Sequence, residues 1–235
     1  MNTLAQIVEA QLLSAIDNDD LVLPTLPEVA LSIREAAEDS EISVSTLSKP
    51  LLRAATEVTD LQTAITRMGI NYSCNLAIGL KMREIWAKSL EVAGISYELC
   101  LRFTQLKPDQ GALAGLVHQI GALPILTYAE EHNELLSDPV CLNHVIDLIH
   151  PVLGDKILSV WEFPEQLAGL PSLSQNLERS TDKLDYVDIV QIARTLSDGN
   201  EHALARLPAM RHLKLPPNSH LQVSELIGAK HMFRA

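Results

Sequence analysis

Aromatic side chains are scarce: three Phe, four Tyr and two Trp make up 4% of 235 residues, whereas hydrophobic residues reach 47%. A core of that size must be built from Leu, Ile, Val and Ala, which is the material of helical bundles. Runs of strict apolar and polar alternation are also rare, and half-buried strands are not expected. Only three cysteines occur, Cys74, Cys100 and Cys141. Each stands alone in an apolar segment without redox or zinc spacing, so they read as reduced core thiols. Basic residues are the minority, 18 against 30 acidic, for a net charge of −12. Clustered Lys and Arg drive binding to nucleic acid and anionic lipid, but here Lys81, Arg83 and the cations of 206–214 are dispersed. Neither nucleic acid nor a membrane is an expected partner. No run approaches the roughly 20 uninterrupted apolar residues of a transmembrane helix, and the N-terminus has no basic and apolar leader. The expected location is the cytoplasm.

What the chain does have is apolar residues recurring at spacings of three and four. Thr3 to Ile16 presents Leu4, Ile7, Val8, Leu12 and Ile16 on one side and stops at the acidic stretch 17–20. Residues 21–27 are too rich in proline for a helix and read as an extended connector, with Pro27 near the start of a second helix to about Glu38. A third helix opens at Ser43 and is split by Pro50, and a fourth spans 60–68 and ends at Gly69. Further helices are predicted over 73–82, 86–105, 108 to about 123, 139–150, 154–161, 165–170, 182–196 and 219–229. The fold class is all-α. A single domain is expected over 1–215, with an N-terminal helical subdomain over about 1–83, a core over about 84–200 and a C-terminal helix over 216–235.

Within the most apolar stretch lies Gly115-Leu116-Val117-His118-Gln119-Ile120-Gly121. A histidine on such a helix is commonly a hydrogen-bonded core residue. It also reads as a His-Asp metal-ligand doublet whose carboxylate has become an amide. Of the other histidines, His132, His202, His212, His220 and His231 fall in polar or terminal stretches and are expected to be exposed. His144 and His150 are six apart and share a helix face poorly, and no His-Glu-x-x-His motif occurs.

Around the doublet, in order, stand Leu23-Pro24-Thr25-Leu26-Pro27-Glu28-Val29-Ala30, then the run from Thr59 to Gly69. Trp86-Ala87-Lys88-Ser89-Leu90-Glu91-Val92-Ala93 comes next, and after the doublet His150-Pro151-Val152-Leu153-Gly154 and Trp161-Glu162-Phe163-Pro164. From about Leu12 to about Leu196 this succession resembles the HDOD domain family, the HD-related output domain of bacterial signalling proteins. Two spans are short against the family pattern, near Lys49-Pro50 and before Trp86.

The resemblance implies a multi-helix bundle related to the HD-type metal-dependent phosphohydrolases, with the N-terminal helices packed on an HD-like core. It also implies a metal site whose ligands have been replaced. The early His falls on Lys88, the doublet on His118 and Gln119, and the late Asp on Arg194, with Asp185 or Asp188 as alternatives if the register shifts. His150 would line the same pocket or serve the core. Hydrolysis by a metal-bound hydroxide needs anionic ligands, and Lys88 and Arg194 would repel a divalent ion. No metal and no cofactor are expected. The favoured function is therefore a non-catalytic signal-transduction module that binds a signalling protein or a small ligand. The competing one is an HD-superfamily metal-dependent phosphohydrolase acting on a nucleotide or another phosphoester.

Overall fold

Residues 2–18, 73–132, 135 and 137–213 are described by the computed structural model, and every regular element among them is helical. The helices expected over 27–38, 43–56, 60–68 and 216–235 lie outside the described residues. So do the 21–27 connector, Lys49-Pro50, His220 and His231. The described helices are α1 (Asn2–Asp17), α2 (Ser73–Phe103), α3 (Pro108–Val117), α4 (Ala122–Glu131) and α5 (Pro139–Val160). The short α6 (Glu165–Ala168) and α7 (Leu170–Leu173) lead to α8 (Tyr186–Ser197), α9 (Glu201–Arg206) and a 3-10 turn over Pro208–Arg211. α2, α3 and α8 pack on one another, while α5 is covered by α1, α4 and α7. α4 touches both groups and joins them.

Local pattern explains most of these elements and tertiary packing explains the exceptions. α1 buries Val8, Leu12 and Ile16 at strides of four, but Ile7 faces solvent at 52% exposure, unlike its expected place on the apolar side. The segments 73–82 and 86–105, expected as two helices, form the single helix α2. No Pro interrupts them, and the buried Ile78, Met82, Ile85, Ser89, Val92, Ser96 and Leu99 continue one alternation of four and three. α5 likewise runs through Pro151 without the expected break. Its buried Leu142, Val145, Ile149, Leu153 and Ile157 bracket the proline and hold both halves against the core.

The reverse happens at the doublet, where one expected helix divides into α3 and α4. Ile120 N–H donates to Val117 O at 3.0 Å, and Ala122 N–H to Gln119 O at 2.9 Å, so tight three-residue turns replace the α-helical ladder. Gly121 explains why the chain must turn there. A Cβ on Gly121 would sit 2.0 Å from His150 O and 2.5 Å from Gly154 N, so α4 begins in backbone contact with α5. Gly115 does the same on the other side, where a Cβ would lie 2.6 Å from Ala93 Cα of α2.

The stretch Pro108–Glu130 is long and apolar enough by composition to cross a membrane, although Asp109, Gln110, His118 and Gln119 interrupt its apolar residues. It is the α3–α4 pair at the centre of the bundle, and 83% of its most apolar window is buried. Replacing Gly121 by Ala should cost at least about 3 kcal/mol, because the obstacle is backbone and not a side chain that can move aside. Urea denaturation would measure it; a loss below about 1 kcal/mol would mean that α4 and α5 separate easily.

Candidate functional site

The turn between α3 and α4 buries His118 completely. Its Nδ1 lies 2.6 Å from Gly115 O, one turn back on its own helix. A carbonyl only accepts, so Nδ1 carries the hydrogen and donates, and Nε2 is left with its lone pair. That Nε2 is buried and meets no hydrogen-bond partner among the described residues. His150 on α5, also buried, repeats the arrangement, with Nδ1 donating to Ile146 O at 2.8 Å. Its Nε2 accepts from the side-chain amide of Gln175 at 3.1 Å.

Gln175 is tied in turn to α8. Its Oε1 accepts from Arg194 Nη2 at 3.1 Å, while Arg194 Nη1 donates to Ser174 O at 3.1 Å. The chain of donors thus runs from Arg194 to Gln175 to His150, and it fixes the orientation of the Gln175 amide. Gln191, one turn earlier on α8, donates to Leu173 O and Asn176 O and pins the rest of this segment. Lys88, on α2, is 31% exposed and pairs with Asp198 at 2.6 Å. Arg194, His150 and Lys88 are all close enough to act on His118 electrostatically.

Burial, Arg194, His150 and Lys88 push the His118 ring down to about 3, with only the Gly115 carbonyl opposing them. The ring is neutral throughout the physiological range. Burial also lowers His150, Arg194 adds to the effect, and the carbonyls of Ile146 and Asp147 act against it. Pro151 has no N–H to offer the Asp147 carbonyl four residues back, which leaves that carbonyl free to face the ring. Arg194 itself is lowered from its ordinary value by burial, while Asp198 and Asp147 act in the opposite sense.

Of the five residues singled out in the sequence, Lys88, His118, His150 and Arg194 come together. Gln119 does not join them. Its side chain lines a narrow crevice with Ile85, Trp86, Ser89 and Leu116, with an internal volume of about 10 Å³, and its Oε1 is buried there without a partner among the described residues. Both alternatives for the late aspartate are committed elsewhere. Asp185 is the N-cap of α8, and Asp188 completes a capping box with it. Asp188, 1% exposed, receives Arg179 at 2.7 Å and Thr181 at 3.0 Å.

Sequence reasoning missed Gln175, Ser174 and Asp198. Gln175 lies in a polar segment with no periodicity, and nothing local marks it as a partner of His150. Two histidines expected to be exposed are partly covered: His132 stacks on Tyr128 with ring centroids 3.7 Å apart, and His212 is half-buried. Cys100 is a buried thiol, pushed up to about 12 by burial, as a core cysteine should be; Cys141 is only half-buried.

The divalent metal of the HD-type phosphohydrolases fits these residues poorly. Among the described residues no group of three or more His, Cys, Asp or Glu could hold a metal ion. A guanidinium and an ammonium act on the buried imidazole of His118, whose Nε2 has no partner among the described residues. Charge repulsion alone opposes a dication there.

Because both rings are held below the unfolded value of about 6.5, the unfolded chain takes up protons below that pH which the folded chain refuses. The contribution of these rings to stability should be flat above pH 7 and fall by about 1.4 kcal/mol per pH unit for each ring as the pH drops below about 6.5. For His118 the fall continues to about 3. Urea titrations between about pH 7 and 5 should show a shallower fall for His118→Gln than for the native chain; equal slopes would exclude a neutral buried ring. Arg179→Met should destabilise by on the order of 3 kcal/mol, because Asp188 would remain buried without its cation.

No curated protein matches the sequence. Among solved structures, the chain is similar to a candidate metal-dependent phosphohydrolase from Shewanella amazonensis SB2B, at 23% identity and TM-score 0.65, covering 97% of this chain and 99% of that one. A candidate signal transduction protein from Marinobacter aquaeolei VT8 is similar at 15% identity and TM-score 0.56, covering 98% of this chain and 64% of that one. An HDOD domain protein with unknown function from Geobacter sulfurreducens is 18% identical with TM-score 0.49, covering 100% and 89%. At such identities the likeness is one of fold. The family model for the HDOD domain matches residues 48–176, more than half of the 235 residues, and the matched span includes Lys88, His118, Gln119, His150 and Gln175. The chain belongs to the HDOD domain family.

Proposed function

We propose that the protein is a non-catalytic regulatory module of signal transduction, working in the cytoplasm by binding a protein or a small ligand. One observation carries this reading: the groups gathered around His118 are two cations and a neutral imidazole. A metal-assisted hydrolase needs carboxylates there, to hold the ion and to lower the pKa of its water. Gln119, at the position of the doublet carboxylate, is turned toward the α2 crevice instead. Of the nearby acids, Asp185 and Asp188 serve the cap of α8 and the Arg179 pair, and Asp198 is held by Lys88.

The competing function, hydrolysis of a nucleotide or another phosphoester, is tested directly by analysing the purified full chain for Mn, Fe, Ni and Zn and assaying a phosphoester panel. The expected result is no stoichiometric metal and no turnover. Gln119→Asp alone should not restore metal binding, because Lys88 and Arg194 remain. Stoichiometric metal, with turnover that disappears in His118→Ala, would overturn the proposal.

A further inference from the structure

The unusual group in this molecule is Arg194. A guanidinium partly withdrawn from water, as Arg194 is, commonly meets a carboxylate, since burying a charge is expensive unless it is paired. Every acceptor that the structure places on Arg194 is instead neutral: the carbonyl of Ser174, at longer range its hydroxyl, and the amide oxygen of Gln175. The nearest carboxylates act on it only through space. Asp198 is bound to Lys88, and Asp147 is exposed on α5. Lys88 brings a second cation within reach of His118. The late acidic position of the metal-binding pattern is thus taken by a guanidinium with no carboxylate in contact with it, while the Lys88 ammonium is balanced by Asp198.

The second observation is His118. Its Nδ1 is committed to Gly115 O, and its Nε2 is a buried acceptor with no partner among the described residues. An acceptor beside two cations selects among anions. A carboxylate or a sulfate at neutral pH brings only lone pairs, which the imidazole lone pair repels, whereas phosphate keeps a P–OH that can donate. The exposed Gln175 holds the outer edge of the guanidinium through one neutral hydrogen bond. A phosphate oxygen would replace that bond with a charge-assisted one of about twice the strength.

We propose that the former metal-ligand positions bind a phosphate group directly, with Arg194 as the cationic contact, His118 Nε2 accepting from the P–OH, Gln175 displaced on binding, and Lys88 left on Asp198. The inference rests on the non-catalytic reading and names the ligand chemistry of the same site. Phosphate could arrive as the free ion, whose dianion still carries a P–OH, or on a phosphomonoester taken up as its monoanion, since the ester dianion has no P–OH to give and should bind no better than sulfate.

The test is calorimetric titration of the full chain at neutral pH, in chelator, with inorganic phosphate, sodium sulfate and glycerol 3-phosphate. Saturable phosphate binding is expected, weakening with salt, and tighter than sulfate by roughly tenfold or more. The relative affinity of glycerol 3-phosphate then distinguishes an ester headgroup from the free ion. Arg194→Met should weaken phosphate by about tenfold or more, and Gln175→Ala should tighten it by roughly threefold by removing the competing amide. Should Arg194→Met fail to fold, Gln175→Ala carries the test with the opposite sign. Lys183→Met, in the separate cleft between the end of α2 and His212, should change nothing. The inference is overturned by a folded native chain that binds no phosphate in chelator, by sulfate binding as tightly as phosphate, by indifference to Arg194→Met, or by loss in Lys183→Met. Phosphate binding and turnover that appear only on adding a divalent metal would instead overturn the non-catalytic reading, so the two failures are distinct.

Discussion

Two imidazoles buried beside a guanidinium are compatible with a stable bundle only as neutral rings, and the local backbone is arranged to keep them so. Each Nδ1–H is satisfied within its own helix, at Gly115 O for His118 and Ile146 O for His150. Both rings consequently turn their Nε2 lone pairs away from their own backbones. One of those lone pairs is met by Gln175, and through it by Arg194. Segment 173–176 is thus tied to both α5 and α8 by side chains that serve the histidines, and the second half of the bundle closes over the site through this polar stitching as well as through apolar contact.

Much of this was legible in the order of residues. The apolar spacing gives the helical class, and His118, His150, Lys88 and Arg194 fall at positions that the bundle does bring near one another. What was not legible is non-local. The continuity of α5 through Pro151 depends on burial on either side of the proline, which a local breaker rule does not weigh. The break after Val117 depends on Gly121 meeting α5, a contact between residues about 30 apart in sequence. Gln175 could not be read from its own neighbourhood at all, because its role is defined by partners on two other helices. The divergence of Gln119 from His118 follows from the same turn: adjacent residues in a tight turn project in different directions, and a doublet stays a doublet only while both face one ion.

The family assignment and the chemistry lead to different kinds of conclusion. The helical arrangement is shared with solved structures described both as a phosphohydrolase and as a signal transduction protein. A scaffold common to both descriptions does not choose between them. The choice falls to the electrostatics of four side chains, and these favour recognition of an anion over retention of a cation.

The glycines on either side of the doublet carry a lesson for reading related sequences. Gly115 and Gly121 are required by backbone meeting backbone, at Ala93 on one side and at His150 and Gly154 on the other. Neither requirement involves an ion or a substrate. A Gly-x-x-His-x-x-Gly signature would therefore outlive the loss of chemistry in any descendant that keeps its helices in place, and finding it in a genome reports inherited architecture while saying nothing about turnover.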